Sequence, residues 1–571
     1  MKQRFVLTLI LAVITTISIR AYDFVVDGIY FSFTYNDVTS VYVTSPGDEE
    51  YGDEYPYTYV GDIIIPETVS YYDQIYTVTA IGDGAFKNAG INTISIPETV
   101  TYIGENAFSN SSLTSIIIPK SVSSIDRWAF VGCSMIESMV VASENPFYDS
   151  RDNCNAIIET SENKLIAGCH NTVIPNSVNE IGECAFESQW QLTSITIPNS
   201  VKKIGGSAFA FSGIINMDIP NSVISIEDHA FYCCNSLTNL VFPNSVASIP
   251  DNVCQSCSKL TSVTIPNSVT TIGKEAFYSC TSLSNVTIPN SVTIIDNRAF
   301  SHCKSLVNIV IPNSVNTVGE WAFCACSNLT DVNIPNSITT LKRYAFSMCT
   351  SLTSVSIPNS VTLIGDGIFS ECIGLTSIIV DSDNTVYDSR DNCNAIIETS
   401  SNKLLLGCQT TIIPNSVRKL REYAFFNCKG LTNIEIPNSI IEIGNGTFSG
   451  CNNLNTVYCH ISDLSQVAVG SSPFYRSPGG STNRTLYIPR GSLADYQSDN
   501  KWSQYFDFII EMDGNQGDVN GDGNINISDV TALIDILLNG NETGADVNGD
   551  GFVNITDVTM LINYLLTDSW N

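Results

Sequence analysis

Residues 518–529 read DVNGDGNINISD, and residues 546–557 repeat the design as DVNGDGFVNITD. Counted from its first Asp, the first loop has Asp518, Asn520 and Asp522 at positions 1, 3 and 5 and Gly523 at 6. The Asn524 carbonyl follows at 7, Asn526 at 9 and Asp529 at 12. The second loop has Asp546, Asn548, Asp550, Gly551, the Phe552 carbonyl, Asn554 and Asp557 in the same places. Hard oxygen donors at alternate positions wrap a Ca²⁺ ion, and glycine at position 6 allows the sharp turn a side chain would obstruct. Two loops predict two Ca²⁺ ions and no organic cofactor. The stretch from Gly514 to Asn571 has acidic residues but no Lys or Arg, so divalent cations would relieve repulsion that nothing local offsets. Folding of the tail should therefore be coupled to metal.

The elements that must hold these loops come directly after them. Val530, Leu533, Ile534 and Leu537, and likewise Val558, Leu561, Ile562 and Leu565, recur at helical spacing. Each loop is thus followed by a helix, with no full helix ahead of it, unlike the helix-loop-helix of an EF-hand. This loop-then-helix pair, over about 518–567, resembles a type I dockerin. The resemblance implies a cohesin-bearing scaffold or surface protein as partner. It also implies recognition through positions 10 and 11 of each loop, here Ile527, Ser528, Ile555 and Thr556. The near identity of the halves implies docking in either of two pseudo-twofold orientations.

Elsewhere, chemistry is sparse. The four histidines are His170, His229, His302 and His460, and the spacing places no Ser or Cys beside any of them. No Gly-x-Ser-x-Gly or His-Glu-x-x-His occurs. Paired carboxylates at glycosidase separation could arise between neighbouring repeats, but no pair is marked out, so no catalytic residue is assigned. Trp128, Trp321, Tyr344 and Tyr423 occupy one repeat slot, just before an Ala-Phe or similar pair. They could offer stacking surfaces to sugars or a protein partner.

That slot belongs to a repeat. Proline recurs at 175, 198, 220, 243, 266, 289, 312, 335 and 358, with a period of 23 and one gap of 22, the mark of a solenoid. In "CTSLSNVTIPNSVTIIDNRAFSH", Leu283, Val286 and Ile288 give a short strand that Pro289 ends, and Ala299-Phe300 fills the far side. Cys234, Cys257, Cys280, Cys303, Cys326, Cys349 and Cys372 share one register, which suits small buried fillers rather than a disulfide framework. The pattern resembles BspA-like leucine-rich repeats, from roughly Ile81 to Val457. It implies a mainly β leucine-rich-repeat solenoid with few helices. Two enlarged units carry the identical string YDSRDNCNAIIETS at Tyr148 and Tyr387, 239 residues apart, pointing to duplication of a block. Each contains a hairpin signal, and a turn centred on Ser161–Glu162 would set Cys154 opposite Cys169. Disulfides Cys154–Cys169 and Cys393–Cys408 are expected on that register.

Residues 1–21 read as a secretory signal peptide, with Lys2 and Arg4 before an apolar run and Ala21 at the cleavage point. The expected domains are then an N-terminal β cap at 22–80, the solenoid at 81–458 and a C-terminal cap at 459–513. Linker and dockerin occupy 514–571. A net charge of −31 disfavours nucleic acid and anionic lipid, and no apolar run after the signal is long enough to span a membrane. The sequence thus describes an exported, extracellular protein, held at a bacterial surface through its tail. Its solenoid would display a non-catalytic surface to a host protein or glycan. The alternative is a polysaccharide-binding or -degrading component of a cellulosome-like complex.

Overall fold

The computed structural model describes residues 22–35, 37–46, 59–476, 483–512, 517–520, 524–539, 547 and 553–567. The signal-peptide expectation lies outside them. The chain divides into two compact units, Met1–Leu306 and Val307–Asn571.

Both units stack coils of the repeat. One side of each coil is a short strand such as Asn285–Thr287, with a buried Val between two exposed residues. It pairs in parallel with Ser262–Thr264, Val286 opposite Val263. A tight turn follows, Val292 N donating to Pro289 O at 3.1 Å. A two-residue strand then pairs in parallel with its predecessor, Ile295 opposite Ile272. The third side is a turn carrying two left-handed residues, for example Glu275 (φ 54°) and Ser279 (φ 57°). That conformation is uncommon for residues with a Cβ and recurs along the array. It persists because each turn's N–H groups bond to the next coil, as Phe277 N does to Ala299 O at 2.8 Å.

Because identical positions stack, identical side chains form columns. Phe323, Phe346 and Phe369 stack at ring-centroid spacings of 5.4 and 5.8 Å. The cysteine column is more than filler. Cys303 Sγ donates to Phe277 O at 3.2 Å, Cys349 Sγ to Phe323 O at 3.3 Å and Cys372 Sγ to Phe346 O at 3.1 Å. Each thiol ties its own coil to a carbonyl of an earlier one.

The enlarged units contain the expected hairpins, Ala156–Glu159 with Lys164–Gly168 and Ala395–Glu398 with Lys403–Gly407. The expected disulfides do not form: Cys154, Cys169, Cys393 and Cys408 are free thiols. The reason is a β-bulge. Near the turn Glu159 faces Lys164 and Ile158 faces Leu165, but between Ile158 and Ile157 the register slips by one, so Ile157 faces Ala167 and Ala156 faces Gly168. Cys169 then comes level with Asn155, whose Nδ2 donates to its sulfur at 3.1 Å. The second hairpin slips identically between Ile396 and Ile397. The shared string bonds both within itself and to the coil before it, as Asn155 Oδ1 accepts from Met139 N at 2.7 Å and Ser150 Oγ from Val141 N at 2.9 Å. Arg151 pairs with Asp149 at 2.6 Å and Arg390 likewise with Asp388.

Open ends are covered on each unit. At the N-terminus β1 (Phe24–Val26), β2 (Ile29–Thr34) and β3 (Asp37–Thr44) form an antiparallel meander. Its last strand pairs in parallel with Gln74–Ile81, which passes the pairing to the first coils. Near residue 500, α1 (Leu493–Ser498) and α2 (Asn500–Ser503) bring Tyr496 and Trp502 over the end of the phenylalanine column. Trp502 lies 5.6 Å from the Phe474 ring. The buried Arg484 closes this cap by donating to the carbonyls of Leu454, Phe474 and Cys451 at 2.7–3.0 Å. Among the described residues no helix is long and apolar enough to cross a membrane.

Candidate functional site

The tail forms its own small core. Helix α3 (Ile527–Asn539) and helix α4 (Ile555–Thr567) share one buried cluster made by Val530, Leu533, Val558 and Leu561 together with Val547. Each helix is started by the last residues of the loop before it. Asn526 Oδ1 accepts from Ser528 N at 2.8 Å, while Asp529 Oδ2 accepts from Asn526 N at 2.8 Å. Asn554 and Asp557 repeat both bonds, each at 2.8 Å. This reciprocal arrangement is a capping box, with Asp where Glu is usual.

Loop positions 9 and 12 therefore do two jobs, helix start and loop closure. Asp529 Oδ1 also accepts from Asn520 N at 3.1 Å, and Asp557 Oδ1 from Val547 N at 2.8 Å. Both carboxylates have no exposed surface. Burying a carboxylate carries a large desolvation cost unless charge and hydrogen bonds compensate it, and the tail has no Lys or Arg of its own. The donor set is oxygen throughout, without His or Cys, which fits a hard cation such as Ca²⁺ rather than Zn²⁺ or Cu²⁺. The described residues that would hold it are Asp518, Asn520, the Asn524 carbonyl, Asn526 and Asp529, then Asn554 and Asp557. The expected ligands Asp522, Asp546, Asn548, Asp550 and Phe552 lie outside the described residues.

The four expected recognition residues come to the surface at the helix starts. Ile527 is 71% exposed and Ile555 69%. Ser528 Oγ accepts from Asn520 Nδ2 at 2.8 Å and donates to Asn526 at 2.7 Å, so an expected recognition side chain is hydrogen-bonded to two expected loop ligands. Two further pairs were not singled out from sequence. Ile534 and Leu538 on α3, and Ile562 and Leu566 on α4, are also exposed, both leucines by more than three quarters. Sequence spacing groups Ile534 and Ile562 with the inward residues, but they face outward, two turns along the stripe from Ile527 and Ile555. Their signal was available: 527, 534 and 538 share one helical face, as do 555, 562 and 566.

On the solenoid the aromatic slot is only partly open. Trp321 and Tyr344 stack on each other at 4.1 Å and 20°, while Trp128 and Tyr423 are exposed. A groove in the first unit gathers Glu183, Glu227, Asp228, Asp251 and Asp296. Several of these carboxylates serve the stack, Asp228 accepting from Asp251 N at 3.1 Å and Asp251 from Lys274 N at 2.7 Å. One Ser-His contact exists despite the sequence expectation, Ser301 Oγ lying 3.0 Å from His302 Nδ1. Ser301 is buried, so its hydroxyl cannot reach a substrate.

Comparison with known proteins assigns both parts. The BspA type Leucine rich repeat region matches in six copies over residues 63–154, 163–284, 270–396 and 396–477. The Dockerin type I domain, a class that generally binds calcium and cohesins, matches residues 516–566. Among solved structures the chain is similar to a leucine-rich repeat protein from Bacteroides ovatus ATCC 8483. The identity is 26%, over 86% of this chain and 100% of that one, with a TM-score of 0.41. A leucine rich cell surface protein from Faecalibacterium prausnitzii A2-165 is 23% identical over 78% of this chain and 96% of its own, with a TM-score of 0.31. A leucine-rich repeat protein from Eubacterium ventriosum ATCC 27560 is 20% identical over 62% and 94%, with a TM-score of 0.35. A comparison with curated proteins finds no match.

Proposed function

This chain belongs to the BspA type leucine-rich repeat family, and from that premise we propose that it is a secreted, non-catalytic display or adhesion protein. Its solenoid presents a surface to a host protein or glycan, and its tail binds two Ca²⁺ ions and docks into a cohesin on a scaffold or surface protein. The observation that carries this reading is the duplicated exposed face of α3 and α4. Ile527, Ile534 and Leu538 on one helix match Ile555, Ile562 and Leu566 on the other, each stripe anchored to a calcium-type loop. Paired apolar stripes on a small module suit a partner that covers them, and two equivalent stripes suit docking in two orientations.

The test compares the full chain with residues 22–513 in calcium-dependent capture from the native secretome. The full chain should retain a cohesin-bearing protein in calcium and release it in chelator. Equal retention by the shortened chain would overturn the docking role. Reducing-sugar release from polysaccharide, abolished by one carboxylate substitution, would overturn the non-catalytic role.

A further inference from the structure

The duplicated block allows an internal comparison, because residue n of the first copy corresponds to n + 239 of the second. In both copies the enlarged coil gives its Ala-Phe turn over to the hairpin. The phenylalanine column therefore runs Phe86, Phe108, Phe130 and resumes at Phe186; it then continues to Phe369, with Cys254 in one slot and Phe242 packing beside Phe277 there, and resumes at Phe425. A hairpin glycine lies against the resuming ring in each case. A Cβ on Gly168 would come within 2.2 Å of Phe186, and one on Gly407 within 2.1 Å of Phe425.

The first copy closes the gap left by the missing ring. Gly132 N donates to Glu187 O at 3.4 Å, drawing the flanking turns together. Gln189, only 3% exposed, reaches Cys133 O with Nε2 at 3.2 Å, and Gln191 reaches Ser134 O at 3.3 Å. In the second copy Gly132 becomes Glu371, Gln189 becomes Cys428 and Trp128 becomes Gly367. Cys428 is too short to repeat the Gln189 bond, and beside Gly367 the Tyr344 ring lies where a side chain would go. A cavity of about 510 Å³ is left. Leu406 and Gly407 are half-exposed there, whereas their counterparts Ala167 and Gly168 are buried.

The cavity has two chemistries. Phe369, Phe425 and Leu406 make an apolar floor. At the mouth Asp366 pairs with Arg421, and Asn427 Nδ2 donates to Glu371 Oε1 at 3.1 Å. We propose that this cavity binds a small amphipathic molecule that puts one aromatic ring in the place of the missing phenylalanine and a neutral or zwitterionic hydrogen-bonding end at the mouth. The volume lies in the range of sites for small ligands. Rings on the floor favour a ring in the gap. Asp366 is charge-matched by Arg421, while Glu371 is held only by the neutral amide of Asn427, so the mouth offers donors and acceptors together and does not favour a bare anion. A saccharide would press hydroxyls against a floor that cannot bond them. The proposal does not rest on the docking role of the tail.

The experiment uses the full chain with indole and p-cresol as probes and maltose as the saccharide control, read by saturation-transfer NMR and thermal melting. Cys428→Gln restores the residue that closes the first copy, and Leu406→Trp fills the cavity from the opposite wall. Circular dichroism identifies which of them folds as the parent does. Indole and p-cresol should show transfer and raise the melting temperature of the parent, with both effects lost in a folded, filled variant and no transfer to maltose. The proposal fails if the parent gives no transfer, if a folded, filled variant binds the aromatic probes as the parent does, or if maltose alone binds.

Discussion

Asp529 and Asp557 are buried carboxylates, each gripped by two backbone N–H groups, in a tail without a basic residue. Asp529→Asn places a donor amide where two N–H groups already point, and removes a charge from one loop only. The ion content measured by mass spectrometry should fall from two Ca²⁺ per chain to one, and Asp557→Asn should do the same for the other loop. At the recognition positions the duplicated stripe gives a different expectation. Ile527→Asp alone leaves the second face intact and should preserve calcium-dependent capture. Ile527→Asp with Ile555→Asp should abolish it while both ions stay bound, as read by pull-down and calorimetry. The proposed loop ligands and the proposed recognition residues Ile527, Ser528, Ile555 and Thr556 could be named from sequence because position in such a loop dictates the expected role. The face that Ile534 and Leu538 share with Ile527 was visible in the spacing, but an apolar residue on a helix reads as core until the facing element is known.

At the scale of the coil, stacking multiplies small effects. Phe346 lies between Phe323 and Phe369 with both faces covered, so Phe346→Ala should destabilise the second unit by about 3–5 kcal/mol in denaturant melts. The buried thiols, inside and outside the column, make a pH prediction. Burial pushes Cys133, Cys154, Cys393 and Cys459 up to about 11 and Cys428 up to about 12. A folded value raised above the unfolded one gives stability that is full below the unfolded value, near 8.5, and is lost as pH rises through the folded value. Melting temperature should stay level through neutrality and fall above about pH 9, each such thiol adding about 1.4 kcal/mol per pH unit to the decline. Replacing several of these cysteines by alanine should flatten that decline. The hairpins were readable at this scale, but their disulfides were not. A single bulge at Ile157 moves every pair beyond it by one residue, and residue counting across the turn does not register it.

For the whole molecule, the tail and the stack are held by unlike forces. The coils are joined by ladders, ring columns and thiol bonds that involve no metal, while the tail core is small and its loops concentrate negative charge. Chelator should therefore remove helical dichroism contributed by α3 and α4 and leave the β signal and the main melting transition in place. Simultaneous loss of both would mean that calcium supports the array as well.

Periodicity and loop spacing by themselves determined the solenoid, the resemblance of the tail to a dockerin, the oxygen donor set and the sites where the period breaks, since each is a property of local order along the chain. Tertiary structure decided which face of each tail helix is exposed, that the hairpin thiols stay apart, that the cysteine column bonds to carbonyls and that one of two duplicated gaps remains hollow. These depend on what residues far away in sequence bring alongside: the difference between Gln189 and Cys428 becomes a cavity only where a neighbouring turn is within reach of one side chain and beyond the other.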